Sequence, residues 1–189
     1  MGFWDVLRGT TRAKKPNLDN LFALPSAAIT LQTALGVNPT GLGSVCYRAA
    51  EGAASASTTA DAVELIEADQ GPHVEKSTDG FGFTWLVVNG SPDDVSTVVT
   101  DIHAVNSSLE SQGFAAGLLC SMLAFVAPSG QKVGLMYLYK QGTFYPFAPT
   151  GNRQRDVILE RQVRDALENE LRIEPDTNRW MPVWGAPGL

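Results

Sequence analysis

The residues best equipped for chemistry are few. Cys120, His103 and Asp101 would supply a nucleophile, a base and an orienting acid. Their spacing argues against that use. Asp101 and His103 are two apart in a helical pattern and therefore point in different directions. Cys120 lies in Leu118-Leu-Cys-Ser-Met-Leu123, a core-strand pattern in which a thiol behaves as a small apolar group. The two histidines, His73 and His103, are thirty residues apart, and there is no Cys-x-x-Cys or His-x-x-x-His, so no metal site is expected. Gly41-Leu-Gly43 leads into a strand rather than a helix, which removes the nucleotide-loop reading and leaves no cofactor to expect. The expectation is a protein without a catalytic residue. The alternative is a small-ligand-binding protein or a hydrolase centred on Cys120, or a pocket lined by Tyr137, Tyr139 and Tyr145.

Rings are better candidates than acids and bases. Residues 137–150 concentrate aromatics and prolines around Lys140, and rigid aromatics dominate binding energy at interfaces. Tyr137 and Phe144 read as core, while Tyr145 and Phe147 fit either core or a partner contact. Trp180 and Trp184 sit in a proline-punctuated end, read either as a tail packed back on the domain or as a docking peptide. Tyr145, Phe147, Trp180 and Trp184 are therefore the candidate partner-binding set. At the other end Phe3, Trp4 and Leu7 share one side of a short helical pattern, followed by Arg8, Arg12, Lys14 and Lys15. These seven residues are the candidate membrane contact.

Charge supports that division. Residues 1–16 hold four bases and one acid, a net +3, leaving −9 on the remainder of a chain whose total is −6. Between Glu51 and Gln131 the one base is Lys76. An acidic body repels phosphates, so nucleic acid is excluded as a partner, whereas a basic head suits an anionic membrane surface or an acidic protein. A chain of 189 residues suits one domain and buries roughly 70% of its unfolded surface without help from disulfides or metals. The longest apolar runs fall far short of the ~20 residues that span a bilayer, and no secretory signal opens the chain. Cys46 and Cys120 could form a structural disulfide, but without a secretion signal they read as buried free thiols in a reducing cytoplasm.

The elements that must position these residues follow from periodicity. A helical region from Leu18 passes Pro25 and runs through Ser26–Leu35 to a stop at Gly36. Gly41–Arg48 is a strand, Ala49–Thr59 a loop, and Ala60–Ala68 a short acidic helix. Strands His73–Thr78 and Phe81–Val88 join through Asp79-Gly80. Ser91 caps and Pro92 opens a helix to about Gln112. Strands Leu118–Val126 and Lys132–Tyr139 turn at Pro128-Ser-Gly130, and Thr143–Phe147 extends the sheet. Thr150 or Asn152 caps a last helix to Arg172, whose Glu160–Arg164 and Arg161–Asp165 pairs read as a solvated face. The order predicts an α+β fold, an antiparallel sheet of five or six strands with helices on one side, similar in element order to secretion chaperones. Its parts would be an amphipathic, basic segment at 1–17, a domain at 18–172 and an aromatic, proline-rich tail at 173–189.

Several blocks also look familiar together: Met1-Gly-Phe-Trp-Asp-Val-Leu7, residues 18–28, 40–48, 83–88 and 101–109, Leu138-Tyr-Lys-Gln-Gly-Thr-Phe-Tyr-Pro-Phe-Ala-Pro149, and Pro182-Val-Trp-Gly-Ala-Pro-Gly-Leu189. Across nearly the whole chain this resembles the PspAB family, proteins associated with phage shock protein A. The resemblance implies a cytoplasmic accessory of the phage-shock envelope-stress response, peripheral to the inner face of the membrane. Its partner would be a phage shock protein A-like coiled-coil protein, and the resemblance transfers no catalytic or ligand residue.

Overall fold

The computed structural model describes residues 17–48, 53–68 and 71–189. The expected membrane contact (Phe3, Trp4, Leu7, Arg8, Arg12, Lys14 and Lys15) lies outside the described residues. A 3-10 turn, Leu18–Ala23, feeds α1 (Leu24–Leu35), with Pro25 in the first turn, where a missing N–H costs nothing. Gly36 ends it in the left-handed conformation, its N–H bonded back to Leu31 and Gln32. Then come β1 (Asn38–Tyr47), α2 (Ala53–Glu67), β2 (Glu75–Thr78), β3 (Thr84–Asn89), α3 (Val95–Ser111), β4 (Leu118–Val126), β5 (Lys132–Leu138) and β6 (Thr143–Phe147). A two-residue ladder, β7 (Pro149–Thr150) with β8 (Gln154–Arg155), precedes α4 (Val157–Leu167).

The fold is α+β, as expected, but several boundaries moved. The expected loop at Ala49–Thr59 is helical from Ala53, consistent with the high helix propensity of its alanines. Asp94, not Ser91, caps α3 by accepting the Thr97 N–H at 3.1 Å, while Ser91 closes the preceding turn. Asp156, not Thr150 or Asn152, caps α4 through the Leu159 N–H at 3.0 Å. That helix ends at Leu167 rather than Arg172. The turn between β2 and β3 is longer than Asp79-Gly80, because the strands close at Thr78 opposite Thr84. Glu160 does not lie on a solvated face: it is buried, paired with Arg155 at 2.8 Å instead of Arg164. Arg164 pairs with Asp165, so the Arg161–Asp165 pairing also fails.

The six main strands form one antiparallel sheet in the order β2-β3-β1-β4-β5-β6. Side chains alternate across it. Val45, Tyr47, Leu86, Val88, Leu123, Phe125, Leu135 and Tyr137 face the helices, where Ile102 and Val105 of α3 and Leu24 and Leu31 of α1 complete a single core. Each large side chain buried there contributes about 1.5–3 kcal/mol relative to exposure. Cys46, Trp85, Cys120, Met122, Met136, Tyr145 and Phe147 face the other way, into a second apolar layer. That layer is covered by the C-terminal segment, with Trp180, Val183, Trp184 and Leu189 packed against it.

Candidate functional site: a cavity beneath the C-terminal segment

An irregular segment can lie on a sheet face only if its backbone polar groups find partners. Here polar side chains supply them. After α4 the chain adds a short parallel bridge beside β6: Phe144 donates to the Arg172 carbonyl at 2.9 Å, and Glu174 donates to the Phe144 carbonyl at 2.8 Å. The buried Glu174 carboxylate accepts from the Thr143 hydroxyl at 2.6 Å. The Trp180 indole donates to the Glu174 carbonyl, and the Tyr145 hydroxyl donates to the Met181 carbonyl, both at 2.9 Å. Arg155 does most of the fastening. Its guanidinium pairs with Glu160, donates to the Trp180 carbonyl at 2.7 Å and lies over the Phe147 ring. Glu160 in turn accepts the Ala148 N–H at 2.9 Å. Rings finish the seam: Trp180 stacks on Tyr145 at 6.0 Å, and Trp184 meets Phe147 edge-on at 5.0 Å. Gly134 admits the end of the segment, because a Cβ there would sit 2.9 Å from the Leu189 side chain.

Between this segment, the outer ends of β1, β3 and β4, and the β2–β3 turn lies a cavity of about 750 Å³. Its floor is Cys46, Trp85, Cys120 and Tyr145. Phe83, Leu119, Leu138 and Val183 supply apolar walls. Among the described residues, the one carboxylate in the lining is Asp79, and it is engaged. It accepts the Trp85 indole N–H at 3.0 Å and the Phe81 and Phe83 N–H groups at 2.9 and 3.0 Å. Burial pushes this carboxyl up, but the bonds from Trp85, Phe83, Phe81 and Gly82 outweigh it and hold the group below its ordinary value. Three cations, Arg48, Lys140 and Arg153, line the cavity from exposed positions. Arg48 lies over Phe83 and Arg153 over Phe81, and Lys140 donates to the Ala116 carbonyl. None of the three forms an ion pair with another described residue.

The expected residues sort cleanly against this geometry. Tyr145 and Phe147 are buried within the protein, where they back Trp180 and Trp184. Trp180 and Trp184 are half-buried, which fits the packed-back tail. The two residue blocks, 138–149 and 182–189, meet at this seam. Tyr137 and Tyr139 face the helices, on the opposite side of the sheet from Tyr145, so the three tyrosines do not share a pocket. Cys120 also stands across the sheet from α3, which carries Asp101 and His103; His103 instead packs on Phe22 at 4.9 Å. Cys46 and Cys120 are free, buried and cross-strand neighbours. The neighbouring Cys120 thiol, then burial, then the Asp79 carboxylate push the Cys46 thiol upward, away from the thiolate form that reacts. No cluster of three metal-ligating side chains occurs among the described residues. The residues missed in the sequence are Arg48, Arg153, Phe83 and Met181. The available signal was the scarcity of bases in an acidic body, where Arg48 stands alone for a long stretch.

No described helix is long and apolar enough to cross a membrane. None of the curated proteins or solved structures compared with the chain matches it. A family model described as PspA associated protein B matches residues 1–188, essentially every residue, and the chain belongs to that family, PspAB.

Proposed function

We propose that this protein is a non-enzymatic, cytoplasmic accessory of a phage-shock-type envelope-stress response, acting by binding a PspA-like coiled-coil protein. The family match over residues 1–188 carries this reading. The half-buried Trp180 and Trp184, backed by Tyr145 and Phe147 and flanked by the exposed Met181, offer a rigid apolar contact of the kind that anchors interfaces. The basic residues 1–16 would hold the complex at the inner membrane face, each base adding about 1 kcal/mol near anionic lipid.

Mixing the purified protein with its PspA should give a complex in titration calorimetry. Trp184→Ala should weaken that complex by about 2 kcal/mol. Absence of a complex overturns the partner, and an undiminished affinity in Trp184→Ala overturns the contact. In the same preparation, salt-sensitive sedimentation with anionic liposomes should vanish on deleting residues 1–15; protein that stays in the supernatant at low salt removes the membrane arm. Ester or thioester turnover abolished by Cys120→Ser would replace the non-enzymatic reading with the hydrolase.

A further inference from the structure

The cavity has a chemical bias that partner binding does not use. Its volume of about 750 Å³ falls in the roughly 300–1,000 Å³ range of sites that enclose a small ligand. Inside, the acid and the phenol of the lining are already engaged, Asp79 with Trp85 and two backbone N–H groups and the Tyr145 hydroxyl with the Met181 carbonyl, while the Gln141 amide stands at an exposed position beside Lys140. A ligand body that needs hydrogen bonds would lose those it makes to water and gain none here. A peptide, with a donor and an acceptor at almost every residue, is a poor occupant for this reason. Hydrocarbon is a good one. At the exposed positions the bias reverses. Arg48, Lys140 and Arg153 are three of the ten Lys and Arg residues after Lys15, gathered around one opening on a body that is otherwise strongly acidic. Guanidinium groups suit carboxylate and phosphate, and these are spared an ion pair with any described residue.

We infer that the cavity binds a single-chain anionic amphiphile, with its hydrocarbon against Trp85, Leu119 and Leu138 and its carboxylate or phosphate head among Arg48, Lys140 and Arg153. The tail is held by burial and the head by charge, so neither half of such a molecule binds well alone. Association with PspA is no part of this inference, and the protein alone suffices to test it.

Trp85 and Trp184 line the cavity, so their fluorescence reports occupancy, and native mass spectrometry gives stoichiometry. Full-length protein is titrated, below the micellar concentration, with oleate, oleoyl lysophosphatidate and oleyl alcohol, and separately with acetate and inorganic phosphate. Saturable binding of one molecule of oleate or lysophosphatidate is expected, the tighter of the two identifying the head. Oleyl alcohol should bind at least tenfold more weakly, and acetate and phosphate not measurably. The double variant Arg48→Glu with Arg153→Glu, at exposed positions, should lose at least tenfold in affinity for the anions with little change for the alcohol. Leu119→Trp should diminish binding of all three amphiphiles by filling the cavity. Failure of both anionic amphiphiles to bind overturns the inference, as does non-saturating uptake. Equal affinity for acid and alcohol overturns it too, and so does tighter binding of the neutral peptide acetyl-Leu-Phe-Leu-amide.

Discussion

Helices cover one face of the sheet, and fifteen or so residues of irregular chain cover the other. On the helix side the covering elements satisfy their own backbone, so Ile102, Val105, Leu24 and Leu31 can be chosen for packing alone. On the other side the cover brings unpaired carbonyls with it, and Arg155, Tyr145 and Trp180 spend their polar groups fastening it down. Point fasteners leave gaps between them, which is how an apolar sheet face comes to carry a cavity. The side with the poorer packing is therefore the side with room for function.

Damage to one face at a time should separate the two covers. Arg155→Ala leaves the buried Glu160 without its cation, and removing one partner of such a pair costs about 3–5 kcal/mol. Denaturant unfolding should show that loss, and Cys120 should label faster in native buffer as the cover loosens. Ile102→Ala, on the helix face, should cost about 2–5 kcal/mol without that local gain in labelling. If both variants expose Cys120 equally, the two faces are one cooperative unit and the distinction fails. Trp184→Ala comes next. The ring is half-buried and meets Phe147 edge-on, so about 1–2 kcal/mol is expected from thermal melts, less than the 3–5 of a fully buried ring such as Trp85. A loss as large as that of Trp85→Ala would make Trp184 a core residue and withdraw it as a contact. The smallest effect concerns Asp79. Its carboxyl is held below its ordinary value in the folded state, so the stability it adds is fully present above about pH 3.9 and is lost as pH falls through the folded value. Trp85 fluorescence between about pH 5 and 2 should report this loosening, and Asp79→Asn should flatten it. An identical acid profile in the variant would show that the turn is held by something else.

Much of the fold was readable from local pattern. The hairpin of β4 and β5 announces itself by two long apolar runs around Pro128-Ser-Gly130, and α3 by the spacing of Val98, Ile102, Val105 and Leu109. What local pattern does not carry depends on contacts far along the chain. Charge at four-residue spacing suggests solvent, which is why Glu160 reads in sequence as half of a surface pair. Its place on the same helical stripe as Val163 and Leu167 was the signal that it turns inward, to Arg155 and the Ala148 N–H. Tyr145 and Phe147 fit either core or interface in sequence because strand alternation with Phe144 and Pro146 says that they face one side together, not what covers that side. The cavity had no local signature. Arg48, Asp79, Cys120, Leu138, Arg153 and Trp184 come from six separate stretches and meet only once the sheet has formed and the last residues have crossed it.

The position of β1 sets the tempo of that assembly. An early strand occupies the middle of the sheet, between β3 and β4, so Cys46 must wait for Cys120, more than seventy residues later, before its second neighbour exists. Distant pairings of this kind slow folding, since the chain loses the freedom of a long loop before the contact rewards it. At about 5–20 residues per second of synthesis, a growing chain spends several seconds with β1 paired on one side only. The face bearing Trp85, Met122 and Met136 stays bare longer still, until the residues after Glu174 arrive. That interval is when the protein is most exposed to aggregation, and the cavity is the last part of the molecule to acquire its shape.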